Sequence, residues 1–164
     1  LRRLQGETGG ITEFVPLPFV HMEAPLARKG QTRAGPTFRE VRLMHAVARL
    51  VLHPHIRNIQ ASWTKLGSDG AKAILQGGAN DLGGTLMNES ISRAAGAAHG
   101  QEMPVAEMET LIGSIGRIPR ARTTLYGDAD PAKIERARLA APLTEIIQTP
   151  SRKIRKATEL EPAE

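Results

Sequence analysis

Strand-forming segments alternate with amphipathic helical segments along this 164-residue chain, and this alternation limits the possible folds more than any other feature. Strands are predicted over residues 13–20, 58–63, 79–82 and 122–126. Helices are predicted between them, and this order is typical of parallel strands joined by right-handed crossovers. About four such units would form either an open parallel sheet or the second half of an eight-stranded α/β barrel.

The clearest helix is predicted between Thr37 and Pro54, because apolar residues recur there at helical spacing and a proline ends the pattern. The residues expected to share its buried face are Phe38, Val41, Met44, Ala48, Val51 and Leu52. Further helices are predicted over 68–76, over 86–98 and after Pro104.

A last helix is predicted after Asp130 and Pro131, which suit the N-cap and the first helical position. Pro142 must kink or end this helix. A basic cluster without interleaved aromatic residues, typical of a solvated tail, consists of Arg152, Lys153, Arg155 and Lys156. We therefore expect a barrel-like part over 1–128, then a C-terminal helix and basic tail over 129–164.

Composition excludes several kinds of site and partner. The chain has no cysteine, so within it there can be no thiolate zinc site, cysteine nucleophile or cysteine-held iron–sulfur cluster. A net charge of +5 raises the alternative of a small nucleic-acid-binding module, but the basic residues are scattered, and we expect no nucleic-acid partner. No apolar run approaches the ~20 residues that span a bilayer, so we expect a cytoplasmic protein without a membrane partner.

Residues 77–100, GGANDLGGTLMNESISRAAGAAHG, combine glycines with polar side chains in an otherwise helix-prone chain. The spacing of Gly78, Gly83 and Thr85 resembles a phosphate-binding P-loop, but Gly84 stands where the loop requires a lysine. A nucleotide triphosphatase is therefore not expected. The glycines either form a tight strand-to-helix turn that needs positive φ or let backbone approach an oxygen-rich ligand.

Polar side chains follow the predicted strand at 79–82. Asn80 and Asp81 lie at its end, and Glu89 follows in the next element. These groups either converge on one polar ligand or cap a helix and bond the amides of the loop. The histidines, including His45 on a helix face, are interpreted as structural or solvated rather than as metal ligands.

Three long stretches carry a family resemblance: ETGGITEFVPLPFVHMEAP at 7–25, PTFREVRLMHAVARLVLHPHIRNIQASWTKLG at 36–67 and GANDLGGTLMNESISRAAGAAHGQEMP at 78–104. With RTTLYGD at 122–128, they resemble the C-terminal half of the tyrosine-using part of deazaflavin (FO) synthase, a radical S-adenosylmethionine (SAM) enzyme. This part is called CofH as a separate subunit and is a CofH-like domain in the fused protein FbiC. GANDLGGT also resembles related menaquinone-pathway radical SAM enzymes, which remain an alternative.

The resemblance implies the second half of a TIM-type barrel and a transferase reaction. A [4Fe–4S] cluster cleaves SAM, and the resulting radical activates tyrosine, whose side chain is joined to 5-amino-6-ribitylaminouracil. A CofG-type partner subunit or fused domain then closes the deazaflavin ring. The cofactors carry this chemistry, while the protein positions the reactants and excludes water.

The resemblance also implies binding residues but neither a catalytic residue nor a metal ligand in this chain. Strand-end positions would hold the adenosyl part of SAM, and these are Pro18, Phe19, Gln60, Ser62 and Trp63. Positions facing tyrosine or the aminouracil would be Asn80, Asp81, Thr85 and Glu89.

The lack of cysteine departs from the family, whose cluster is held by a CxxxCxxC motif near the start of the barrel. We therefore expect the chain to be a fragment whose missing half precedes Leu1 and which is inactive alone. A cysteine-free binding protein derived from the same fold is the further alternative.

Overall fold

The computed structural model describes residues 1–86 and 88–141. Within these residues the regular elements are seven helices and isolated β-bridges, with no longer β-ladder. The helices are α1 Arg2–Thr8, α2 Pro25–Arg28, α3 Phe38–Leu52, α4 Trp63–Gln76, α5 Ile91–Ala94, α6 Val105–Gly113 and α7 Pro131–Leu139.

The first three predicted strands pair in parallel and in the predicted order, but only as bridges. Phe14 pairs with Ile59, and Gln60 pairs with Asp81. The helices α3 and α4 connect the successive bridged segments, as the strand–helix alternation predicts. The first segment cannot extend its pairing far beyond Phe14, because Pro16 and Pro18 have no N–H to donate.

The prediction of a fourth parallel strand over 122–126 is wrong. Arg122 pairs instead with Asp128 in an antiparallel bridge, so the segment folds back on itself. Tyr126 sits in this turn with φ 64°, and its N–H donates to the carbonyl of Thr123 at 3.0 Å. The described residues therefore show three parallel segments with helical crossovers and do not show half of a closed barrel.

The helix α3 begins and ends where the sequence predicts, and three of the six residues predicted to be buried, Val41, Ala48 and Leu52, are buried. Thr37 and Glu40 form a capping box at its start. The buried row is Val41, His45, Ala48 and Leu52, whereas Phe38, Met44 and Val51 are about half exposed. Its outward side is also apolar, with Leu43, Val47 and Leu50 exposed.

The other helices depart from the predicted bounds to different degrees. The helix predicted over 68–76 is confirmed as the part of α4 that follows Gly67, whose φ 66° and ψ 178° are not helical, and α4 adds a turn before it. The helix predicted over 86–98 is reduced to α5. The predicted start of α7 is confirmed, because Asp130 accepts a hydrogen bond from the N–H of Ala132 at 2.9 Å. The predicted kink at Pro142 and the basic tail lie outside the described residues.

The core lies between the bridged segments and the helices α3, α4 and α6. Ile59 and Ala61 from the central segment are fully buried, as are Ala71 and Ile74 from α4. Leu111 of α6 joins the same aliphatic cluster. No helix within the described ranges has the length and apolar character needed to cross a membrane.

Candidate functional site

The three bridged segments have an apolar face and a polar face. Side chains alternate along an extended segment, and paired residues of neighbouring segments share a face. Phe14 and Ile59 pack into the core beneath the helices. Glu13 and Gln60 are next to these residues in the chain and therefore point to the opposite side. Asp81 pairs with Gln60 and points the same way, and we call this side the polar face.

Arg122 binds the carboxylate of Asp81 on this face with two nitrogens. Its Nη2 donates to Asp81 Oδ1 at 2.8 Å, and its Nε donates to Oδ2. The N–H of Gly83 donates to the same Oδ1 at 2.6 Å. The side chains of Arg122 and Asp81 are only 21% and 9% exposed. The hydrogen bonding to Asp81 raises the pKa of Arg122, although burial opposes the rise.

Tyr126 and Glu13 complete this cluster. The guanidinium of Arg122 lies 4.0 Å from the centroid of the Tyr126 ring, which is a cation–π contact. The Tyr126 hydroxyl donates to Glu13 Oε2 at 2.5 Å, and that oxygen lies 3.7 Å from Arg122 Nη2. Burial and the hydrogen bond to Glu13 raise the pKa of Tyr126 well above its ordinary value. Two carboxylates facing one guanidinium leave the cluster with a net negative charge.

A cavity of about 1020 Å³ opens beside the polar face. Gln60, Asp81 and Thr85 line it on one side, and residues of α6 and α7 line it on the other. Small-molecule sites in proteins usually occupy about 300–1,000 Å³, so this cavity could take a ligand of substantial size. Its polar side offers a fixed carboxylate and an amide, which suit a ligand rich in hydrogen-bond donors.

The structure brings together three of the four predicted substrate-binding residues. Asn80, Asp81 and Thr85 all line the cavity of about 1020 Å³. The side-chain oxygen of Asn80 already accepts from Arg49 Nη2 at 2.6 Å and from the N–H of Ile59 at 2.9 Å. Its carbonyl therefore stabilises the junction with α3, and its amide nitrogen is the group left for a ligand.

Glu89 lies apart from this cavity, at the start of α5. Its Oε1 accepts the N–H of Ser92 at 2.9 Å, and its backbone N–H donates to the carbonyl of Gln101 at 2.9 Å. Glu89 therefore caps α5 and fixes the loop, which is the capping alternative that the sequence left open.

The predicted adenosyl-binding residues do not share one pocket among the described residues. Pro18 and Phe19 line a second cavity of about 620 Å³ against α3, whereas Gln60 lines the cavity beside the polar face. Ser62 and Trp63 are buried, and the Trp63 indole N–H donates to the carbonyl of Gly84 at 3.1 Å. The adenosyl contact of these five residues stays a prediction.

Most glycines of the 77–100 stretch bring chain segments into close contact with each other. A Cβ on Gly78 would lie 3.1 Å from the His45 carbonyl oxygen, and one on Gly96 would lie 2.7 Å from Met22 Cβ. A Cβ on Gly100 would lie 2.3 Å from the carbonyl oxygen of Thr64. These glycines allow close approach within the protein. Gly83 and Gly84 line the cavity of about 1020 Å³, and the approach of their backbone to a ligand stays a prediction.

Sequence reasoning missed Glu13, Arg122 and Tyr126 as parts of the site. The signal for Glu13 was its place next to Phe14, since a residue beside a core position in an extended segment faces the other side. No local signal pairs Arg122 with Asp81, which is 41 residues away.

A metal centre is not supported by the residues that the structure describes. They contain no group of three or more His, Cys, Asp or Glu residues placed to hold a metal ion. The whole chain lacks cysteine, so its residues do not fit a [4Fe–4S] cluster.

Parallel segments joined by helical crossovers, with a polar face opening on a cavity, are typical of α/β proteins that bind small molecules. The family model described as the CofH/MqnC C-terminal region matches residues 8–134, and the chain belongs to this family. The resemblance inferred from the sequence is confirmed.

The names of individual proteins similar to this chain are consistent with the family. The chain is 58% identical over 136 residues to FO synthase of Nocardia farcinica, covering 82% of this chain and 16% of that protein. It is 55% identical over 126 residues to FO synthase of Mycobacterium tuberculosis, covering 77% and 15%. It is 52% identical over 132 residues to 5-amino-6-(D-ribitylamino)uracil–L-tyrosine 4-hydroxyphenyl transferase 1 of Methanosarcina mazei, covering 79% and 35%. The chain thus spans a small part of the length of these relatives.

Proposed function

We propose that this chain is the substrate-binding part of a longer FO synthase-type protein that joins the tyrosine side chain to 5-amino-6-ribitylaminouracil. The observation that carries the proposal is the 52% identity to a transferase whose name states these two substrates. The family match at residues 8–134 also includes every residue of the polar face and its cluster.

The fold proposed for the longer protein is a TIM-type barrel to which this chain contributes consecutive βα units. Two observations support it: the parallel bridges follow chain order, and the helices between them lie on the apolar face. The outward side of α3, with Leu43, Val47 and Leu50 exposed, is what a helix presents when a neighbouring helix packs on it in a barrel wall.

Within that barrel, the polar face would point inward and bind the substrates in the cavity of about 1020 Å³. Asp81 supplies a fixed acceptor, because Arg122 and the Gly83 N–H hold both of its oxygens. Thr85 adds a hydroxyl on the same wall, and Asn80, whose side chain is bound to Arg49 of α3, lines the cavity beside it. Glu89 acts on the ligand only indirectly, through the loop that it fixes.

Bound SAM and a [4Fe–4S] cluster would supply the radical that begins the reaction, as in the radical SAM family that the resemblance implies. Cluster ligands would have to come from outside these 164 residues, because none of them is cysteine. A CofG-type subunit or fused domain is the proposed partner. What the described residues supply is binding, orientation and shielding from water.

The test is an anaerobic assay of the longer protein with SAM, tyrosine and the aminouracil, with the coupled product measured by mass spectrometry. We expect product from the wild type and a loss of about tenfold or more in kcat/KM for Asp81→Asn. Asp69→Asn is the matched control, because Asp69 is an exposed aspartate on α4 paired only with Lys72. A wild type that forms no coupled product would overturn the proposal.

A further inference from the structure

The side chain of Gln60 lines the cavity beside the polar face. Gln60 lies on the polar face, bridged to Asp81, and lines the cavity of about 1020 Å³. Its backbone N–H donates to the carbonyl of Phe14 at 3.0 Å, so the position of its Cα is fixed. Its side-chain amide is half-buried and makes no hydrogen bond with any residue that the structure describes.

Gly83 leaves the space that this amide occupies. A Cβ built on Gly83 would lie 3.0 Å from Gln60 Cδ and 2.6 Å from Nε2, and the second distance is shorter than real Cβ atoms show. Gly83 also has φ +76°, a conformation that other residues rarely adopt. Its N–H donates to Asp81, so the loop and the carboxylate are fixed together. The amide of Gln60 therefore lies against the loop that is bound to Asp81.

A glutamine amide presents one acceptor and two donors in a plane, side by side. Its best complement is a flat ring edge with a donor next to an acceptor, as when glutamine binds a base edge with two hydrogen bonds. The imide edge of a uracil ring has this arrangement, whereas a ribityl chain, a phenol and a carboxylate do not. Among the two proposed substrates, only the aminouracil carries such an edge.

We propose that Gln60 determines specificity by pairing its amide with the imide edge of the aminouracil ring. This inference rests on the proposed function and assigns Gln60 to the substrate rather than to SAM. Gln60 shares its cavity with Asp81 and Thr85, while Pro18 and Phe19 line the other cavity. An adenine edge has the same donor–acceptor chemistry, so the test must separate the two rings.

The test measures KM for the aminouracil, for tyrosine and for SAM in the longer protein. Three forms are compared: the wild type, Gln60→Glu and Gln60→Asn. Glutamate keeps the size of the side chain but cannot donate to a ring carbonyl, so we expect Gln60→Glu to raise KM for the aminouracil about tenfold or more. We expect KM for tyrosine and for SAM to change by less than about twofold. A rise in KM for SAM alone would assign Gln60 to adenine and overturn the inference.

A second pair of variants tests the role of Gly83 without touching Gln60. Gly83→Ala should displace the amide and raise KM for the aminouracil. Gly116→Ala is the matched control, because Gly116 has a similar φ of +73° but nothing lies within 4 Å of its Cβ position. If Gly83→Ala fails to fold, the Gln60 variants decide alone. No coupled product from the wild type would overturn the proposed function, whereas product with an unchanged aminouracil KM in Gln60→Glu would overturn only this inference.

Discussion

Arg122 and Asp81 form a two-point ion pair that joins the last bridged segment of the chain to the third one. Nη2 and Nε of Arg122 donate to the two carboxylate oxygens, and both side chains are mostly buried. Removing one member of such a pair leaves the other charge without a partner in a poorly solvated place. The pair therefore contributes to stability as well as to the site.

We expect Arg122→Leu to lower the free energy of unfolding by about 1–3 kcal/mol, because Asp81 would lose its main partner. Arg120→Leu is the matched control, since Arg120 pairs with Asp128 in an ion pair whose side chains are 70% and 81% exposed. Exposed pairs contribute about 0–1 kcal/mol. Urea unfolding of the two variants would measure the difference, and equal losses would contradict the structural role of Arg122.

The raised pKa of Tyr126 predicts a loss of stability at alkaline pH. The phenol of an unfolded chain titrates near pH 10, whereas in the folded chain burial and Glu13 keep it protonated to higher pH. The associated stability is therefore complete below about pH 10 and falls as the pH rises further. Tyr126 is the single tyrosine of the chain, so its phenolate absorbance can be titrated directly.

Two controls test whether the folded environment raises the pKa of Tyr126. In denaturant the midpoint should return to about 10, and in folded Glu13→Gln it should lie below that of the wild type because a charged acceptor is lost. The same midpoint in the folded and the unfolded wild type would contradict the buried environment of the phenol.

Gly100 is expected to tolerate no side chain. A Cβ there would lie 2.3 Å from the carbonyl oxygen of Thr64, and the residue has φ +99°. Gly100→Ala should therefore lower the free energy of unfolding by about 2 kcal/mol or more. Gly113→Ala, at the end of α6 with nothing within 4 Å of the new Cβ, should be neutral or slightly stabilising. Thermal unfolding of both variants would show whether this contrast exists.

Trp63 is expected to behave as a core residue. It is 4% exposed, and its indole N–H is bound to the Gly84 carbonyl. Trp63→Phe should cost about 1–2 kcal/mol of unfolding free energy, because that carbonyl loses its donor. Trp63 is the single tryptophan of the chain, so its fluorescence can be measured directly. We expect the emission maximum of a buried indole, and an emission maximum equal to that of the unfolded chain would contradict its buried position.

Local signals predicted the elements whose cause lies within a few residues. The Asp130-Pro131 pair marks the start of α7, and Thr37 and Pro54 bracket α3, because caps and prolines act on the backbone beside them. The parallel order of the first three segments also followed from alternation. Of the site, Asn80, Asp81 and Thr85 were predicted from their position at a strand end, and they do share a cavity.

Features that depend on distant partners could not be predicted in this way. The buried face of α3 was predicted only in part: Val41, Ala48 and Leu52 are buried as expected, but both sides of the helix are apolar, and spacing alone cannot say which side meets the core. The reversal at Tyr126 places a non-glycine residue at positive φ, which sequence patterns disfavour. The contacts of the glycines at 77–100 could not be predicted either, because several of the atoms that lie close to them belong to distant parts of the chain.

The two apolar sides of α3 also bear on how mutations in this region should be interpreted. Leu50 is 81% exposed, so Leu50→Lys should change the free energy of unfolding of this chain little. The same substitution should make the chain less prone to self-association. If the outward side forms part of a barrel wall, the same change would be harmful in the longer protein. In that case a screen for soluble expression of this chain would enrich substitutions that a genetic screen for a working longer protein removes. Positions at which the two screens disagree would identify the residues of α3 that a neighbouring helix covers.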